Sequence, residues 1–128
     1  MFDNNQMFSN GQVVTADGFS TNAAQVAKTG PDGVWIEIIL PAAPTGTTPT
    51  LIVEVYAKDT DASWATTDTK VGVLNQIAGA AAGQVGRYFL KIVTDKQYVK
   101  VYYDVGGTTP SYTLTAGIGS GPQQDALV

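Results

Sequence analysis

Apolar and polar residues alternate along most of this chain. The clearest example is TLIVEVYAK, residues 50–58, whose two faces carry different sets of side chains. The first face is apolar, and the second is mixed: Leu51, Val53, Val55 and Ala57 against Ile52, Glu54, Tyr56 and Lys58. A period of two residues places successive side chains on opposite faces of a β-strand. The segment is therefore predicted to be a strand with one face on a core.

Similar patterns, separated by turns rich in glycine, proline and aspartate, predict further strands. The predicted strands cover residues 12–16, 19–26, 34–40, 50–58, 70–77, 84–93, 97–105 and 111–119. No segment predicts a helix, and we find no sequence repeat. Eight strands with regular turns predict an all-β fold, a two-sheet antiparallel β-sandwich of the jelly-roll type.

One strand and three connections carry more specific predictions. VWIEIIL, residues 34–40, is apolar at nearly every position, which indicates a strand covered by the core on one face and by the core or a neighbouring subunit on the other. PAAPTGTTP, residues 41–49, holds three prolines and a glycine and is predicted to be a surface loop. Residues 106–110 are predicted to turn the chain, and residues 94–96 to close a hairpin between the strands on either side.

The chain is predicted to form one domain with an extension at each end. Residues 1–11 are predicted to be an extended arm, residues 12–119 the β-domain, and residues 120–128 a flexible tail. Isolated bulky apolar residues on an arm either pack on their own domain or reach a partner. We expect partner or subunit contacts at four residues: Phe2, Met7, Phe8 and Trp64.

Composition limits the classes of function. The 128 residues contain no histidine and no cysteine, so a Ser-His-Asp triad is impossible and the commonest transition-metal ligands are missing. The net charge is −4, and the seven lysines and arginines are scattered, which weighs against nucleic-acid binding. No apolar stretch approaches the roughly 20 residues of a membrane span, and the first residues lack a signal-peptide pattern. We expect a soluble structural or binding protein, with no enzymatic activity, cofactor or membrane association.

Two groups of carboxylates leave other chemistry open. Asp59, Asp61 and Asp68 could begin a calcium site, although their loop lacks the glycine and the bidentate glutamate of an EF-hand. Glu37 and Glu54 lie within predicted strands, and a glycosidase needs two carboxyl groups across a cleft. Outward positions on alternating strands are the more common explanation of such glutamates.

An aromatic strip supports the alternative function. Tyr98 and Tyr102 share a predicted strand face with Lys100. Aromatic rings with an accessible face can stack on sugars, although strand aromatics also fill cores and subunit interfaces. The alternative is therefore a carbohydrate-binding β-sandwich module, on a virion or in a secreted protein.

Three segments together resemble a known family. The opening MFDNNQMFSNGQVVTADGFSTN is a short arm followed by Ser9, Gln12, an aliphatic-threonine strand and the step Ser20-Thr21-Asn22. TLIVEVYAKDTDASW is an alternating strand with an acidic loop and a bulky residue, and RYFLKI followed by QYVKVYYDVGGTTPSYTLTAGI ends the domain. In this order the segments resemble the small jelly-roll cement proteins of tailed bacteriophages, typified by the Bordetella phage cement protein. The longer proline loop and the Gly-Pro-Asp-Gly turn before Val34 depart from the family pattern.

The resemblance implies a structural role on a virion. Such a protein binds late to the exterior of an HK97-like shell, bridges neighbouring major capsid proteins and stiffens the shell, after synthesis in the host cytoplasm. The family has no catalytic residues. A closed symmetric homo-oligomer, a dimer or a trimer, is expected because most soluble oligomers are closed and symmetric.

Overall fold

The computed structural model describes residues 6–78 and 86–119; for residues 75–78 it describes the backbone alone. These residues form eight strands and no α-helix: β1 Met7–Val14, β2 Gly18–Phe19, β3 Ala24–Gln25, β4 Val34–Leu40, β5 Thr45–Lys58, β6 Thr69–Ala78, β7 Gly86–Ile92 and β8 Tyr98–Gly119. The prediction of an all-β fold with about eight strands is confirmed. Within the described ranges no helix is long and apolar enough to cross a membrane.

The strands form one antiparallel sheet organised around β8, which pairs with five other strands. Residues 98–105 of β8 pair with β5 on one edge and with the short β2 and β3 on the other, and β5 pairs with β6. We call this part the β5 half. Residues 112–119 of β8 pair with β1 and β4, and β4 pairs with β7. We call this part the β4 half.

A repeated tetrapeptide lies where β8 passes between the halves. Gly107–Pro110 of β8 and Gly46–Pro49 of β5 both read Gly-Thr-Thr-Pro, and they lie opposite each other in the ladder, where its register shifts twice. The two glycines have φ values of 105° and 109°. A Cβ at either one would lie within 2.6 Å of a carbonyl oxygen of the opposite strand. Only glycine permits this backbone angle together with so close an approach.

The repeat corrects three predictions. Residues 45–49, predicted as part of a loop, belong to β5, and residues 106–110, predicted as a turn, belong to β8. The absence of a repeat was also wrong. Glycine and proline usually end a strand, but irregular positions in a ladder accept both, and here two such positions face each other.

The core lies between the inward rows of the two halves. The predicted inward row of β5 is confirmed, since Leu51, Val53, Val55 and Ala57 are at most 1% exposed. In β4, Ile36, Ile38 and Leu40 are fully buried, and β8 contributes an inward row from each half: Val99, Val101, Tyr103, Tyr112, Leu114 and Ala116. Alternation along β4 and β8 therefore decides which side chains point outward.

The two halves nearly close on each other along β6 and β7. Among the described strands, β6 pairs only with β5 and β7 only with β4, yet β6 and β7 are in contact. Side chains fill this seam, because a Cβ at Gly72 would lie 3.0 Å from Cγ2 of Ile92. The hairpin predicted around residues 94–96 is wrong, since β7 and the start of β8 lie in different halves and residues 93–97 connect them.

The predicted boundary of the N-terminal arm is also wrong. Strand β1 begins at Met7 and pairs with the last part of β8, so residues 7–11 belong to the sheet. The register shifts between Met7 and Ser9, which directs both Phe8 and Ser9 inward, and each is fully buried. Residues 1–5 and the predicted flexible tail, residues 120–128, lie outside the described residues.

Candidate interaction surfaces

The four predicted contact residues do not form one surface. Phe8 is fully buried in the core, so its prediction as an interface residue is wrong. Met7 is partly exposed and pairs with Gly117 on the outer side of the β4 half. Trp64 is partly exposed beside Phe19 of β2, in the β5 half. Phe2 lies outside the described residues.

The outer side of the β4 half carries several apolar side chains. Because Ile36, Ile38 and Leu40 point inward, the alternate residues of β4 point outward. Ladder partners share a face, which places Phe89 of β7 beside Glu37. We call the surface formed by Met7, Trp35, Glu37, Ile39 and Phe89 the β4 outer face. Arg87 and Lys91, the ladder partners of Ile39 and Trp35, flank it.

The apolar side chains of the β4 outer face are partly exposed, and contacts between neighbouring side chains fix their positions. The four apolar residues of this face are partly exposed and do not belong to the core cluster. The rings of Trp35 and Phe89 meet edge to face with centroids 6.5 Å apart. Glu37 is only 7% exposed and accepts a hydrogen bond of 2.8 Å from Nη1 of Arg87. An apolar patch of this kind, with its one carboxylate already paired, is typical of a protein contact surface.

A second cluster covers the outer side of the β5 half. The ring of Phe19 lies 4.9 Å from that of Tyr102, 5.8 Å from that of Tyr56 and 6.4 Å from that of Trp64. We call these four residues the aromatic cluster. Tyr56 points outward by alternation, yet it is only 2% exposed. Its neighbours in the cluster and Lys70, whose Nζ lies 5.8 Å from the Tyr56 ring, cover it.

Charged side chains surround the aromatic cluster. The hydroxyl of Tyr56 donates to Oε1 of Glu54 at 2.6 Å, and Nζ of Lys70 lies 3.5 Å from Oε2 of the same glutamate. Burial, followed by the charges of Asp17, Asp104 and Glu54, raises the pKa of Tyr102 above its ordinary value. The phenols of this cluster are therefore neutral hydrogen-bonding groups near neutral pH.

Sequence reasoning found only part of the aromatic cluster. It singled out Tyr102 and Trp64, but Tyr98 is not among the rings that meet there, and Phe19 was missed. The missing signal was the pairing of β2 with β8, which sets Phe19 directly opposite Tyr102. A strand of two residues is too short for an alternating pattern of apolar and polar residues to indicate its register.

The three aspartates of the predicted calcium loop have separate partners. Asp61 accepts from Nε1 of Trp64 at 2.9 Å, and Asp68 accepts from the backbone N–H of Ala65 at 2.7 Å. Asp59 accepts a 3.3 Å hydrogen bond from a backbone N–H on another loop. In the described part of the chain, no group of three or more acidic residues is placed to hold a metal ion.

The two strand glutamates do not form a pair. Glu37 points outward from the β4 half, where Arg87 is its partner, and Glu54 points outward from the β5 half, where Tyr56 and Lys70 are its partners. They therefore do not face each other across a cleft, which is the arrangement that the glycosidase hypothesis needs.

No protein-family model matches this chain, and no curated protein matches it.

Proposed function

We propose that the protein is a structural component that binds other proteins through the β4 outer face, and that it serves as a cement protein on the exterior of an HK97-like bacteriophage shell. The observation that supports this most strongly is the partly exposed apolar patch of Met7, Trp35, Ile39 and Phe89 on a sheet whose opposite side is a packed core. The resemblance of three sequence segments to phage cement proteins supports the more specific role.

The proposed role suits the physics of this fold. A protein that stiffens a shell has to transmit force between neighbouring capsid subunits without deforming itself. A nearly closed antiparallel sheet around one close-packed core resists deformation. Individual contacts of modest area become strong when copies in one oligomer bind together. We accordingly propose a dimer or trimer that bridges major capsid proteins.

The fold proposed for this role is a jelly roll. The support is that β8 contributes to both halves and that its register with β5 shifts at the paired Gly-Thr-Thr-Pro segments. A long strand shared by two layers is compatible with a two-sheet sandwich.

Replacement of outward aromatic residues on the two halves tests the proposed function. We expect Trp35→Ala combined with Phe89→Ala to weaken co-sedimentation with undecorated capsids at least about tenfold, because large aromatic residues dominate interface energies. Tyr102→Ala is the matched control, since it removes an outward aromatic from the other half. Equal binding by the double variant and the wild type would rule out the β4 outer face as the capsid contact.

A carbohydrate-binding module is the second candidate, and the aromatic cluster favours it. Partly exposed Phe19, Trp64 and Tyr102 lie beside lysines and carboxylates, which is a combination suited to sugar rings and their hydroxyls. A glycan array tests this candidate directly. Saturable binding of one glycan that is lost in Tyr102→Ala and kept in the Trp35 and Phe89 variant would favour it over the cement role.

A further inference from the structure

A cavity opens at one end of the seam between β6 and β7. Its volume is about 400 Å³, within the range of pockets that bind ligands. Thr69 and Val71 of β6 form one side, and Val93 and Thr94, which follow β7, form another. The backbone edge of β6 that is turned away from β5 is not paired with any other described strand.

Backbone hydrogen bonds fix the rim of this cavity. The N–H of Lys28 donates to the carbonyl of Lys96 at 3.1 Å, and the N–H of Thr29 donates to the carbonyl of Thr94 at 3.0 Å. The N–H of Thr94 donates in return to Oγ1 of Thr29 at 3.0 Å. These hydrogen bonds hold the two lysines on adjacent segments at one opening of the cavity.

The lining combines aliphatic surface with positive charge. Val93 is 53% exposed and supplies accessible aliphatic surface. Lys28 forms no ion pair with the described residues, and the ion pair of Lys96 with Asp59 is long, at 3.8 Å. Asp95 also lines the cavity and adds one negative charge. A ligand that fits needs an aliphatic group for the valines and an anionic group for the lysines.

We propose that this cavity binds an extended segment of a partner protein that presents an aliphatic side chain next to a carboxylate. The aliphatic side chain occupies the space between Val71 and Val93, and the carboxylate pairs with Lys28 and Lys96. The unpaired edge of β6 supplies backbone donors and acceptors, as in other cases where a peptide extends a sheet. This recognition does not depend on the capsid role, because the cavity shares no residue with the β4 outer face.

A peptide titration followed by amide NMR tests the proposal on the whole protein. The probe is the acetylated, amidated pentapeptide Thr-Asp-Leu-Val-Thr, and we expect saturable shifts at Thr69, Val93 and Thr94. Lys28→Gln combined with Lys96→Gln should weaken binding about tenfold, as expected for two surface ion pairs. Lys91→Gln, on the outer side of the β4 half, is the matched control and should leave the affinity unchanged. Asp95→Asn should tighten binding about twofold, because it removes a repelling charge.

Several outcomes would overturn the proposal. One is the absence of saturable shifts, and another is a set of shifts confined to the aromatic cluster or the β4 outer face. Binding that is insensitive to the lysine substitutions would remove the role of charge. If hexanoate alone binds as tightly as the peptide, the cavity is a site for a small molecule and not for a protein segment.

Discussion

Gly46 and Gly107 allow the backbones of β5 and β8 to approach closely where their register shifts. Gly46 and Gly107 combine left-handed φ angles with backbone oxygens that leave no room for a Cβ. We expect Gly46→Ala or Gly107→Ala to lower the free energy of unfolding by about 2–4 kcal/mol, measured by chemical denaturation.

Gly18→Ala is the matched control for these substitutions. Gly18 has no atom within 4 Å of the position of an added Cβ and no positive φ, so the change should stay within about 0.5 kcal/mol. Equal effects at all three glycines would show that the Gly-Thr-Thr-Pro pair is not a constrained element.

A buried phenol links β1 to β8. The hydroxyls of Tyr103 and Ser9 lie 2.8 Å apart and share a buried hydrogen bond in which either oxygen can donate. Tyr103→Phe removes this hydrogen bond and should lower stability by about 1 kcal/mol near neutral pH.

The same phenol gives a pH dependence of definite sign. Burial raises the pKa of Tyr103, while the hydrogen bond with Ser9 opposes that rise. The unfolded chain ionises near pH 10, so stability is complete below that pH and falls as the pH rises through the higher folded pKa. Burial also raises the pKa of Tyr112 to about 12, so Tyr112 adds to the loss of stability at alkaline pH. Unfolding curves from pH 8 to pH 12 should show a smaller alkaline loss in Tyr103→Phe; an unchanged loss would contradict this origin.

At the scale of elements, one ion pair ties the edge strand β7 to β4. Arg87→Met leaves the carboxylate of Glu37 with little access to water and without its partner, which should destabilise the protein by about 1–3 kcal/mol. Adding Glu37→Gln removes the unpaired buried charge and should restore part of the lost free energy of unfolding. Amide hydrogen exchange in β7 measures how far this strand loses protection. Equal exchange rates in the wild type and the variants would contradict a stabilising role for the ion pair.

The period of two residues predicted the elements that alternate strongly. It predicted the inward row of β5, while a continuous apolar run predicted β4 at residues 34–40, because each signal depends only on neighbours in sequence. The Gly-Thr-Thr-Pro pair could not be predicted in this way. Its two copies lie about sixty residues apart, and only their pairing makes glycine and proline acceptable within a strand.

The candidate surfaces depended on strand order in the same manner. The apolar run of β4 indicated a face that needs covering, but only the β4–β7 and β1–β8 ladders show that Phe89 and Met7 join it. Phe8 was misplaced because a local register shift, which leaves no mark in the apolar pattern, turns it into the core.

At the scale of the whole molecule, the β4 outer face and the aromatic cluster lie on the outer sides of different halves, with the core between them. A partner bound to one surface therefore leaves the other accessible. In the proposed cement role, the β4 outer face contacts the shell and the aromatic cluster faces away from that contact.

The most direct test of the proposed function is the stoichiometry of addition to undecorated, expanded capsids of the cognate phage. We predict that binding saturates at a fixed ratio to the major capsid protein and raises the resistance of the shell to disruption. Absence of binding, or uptake that keeps rising in proportion to the protein added, would contradict the proposed role.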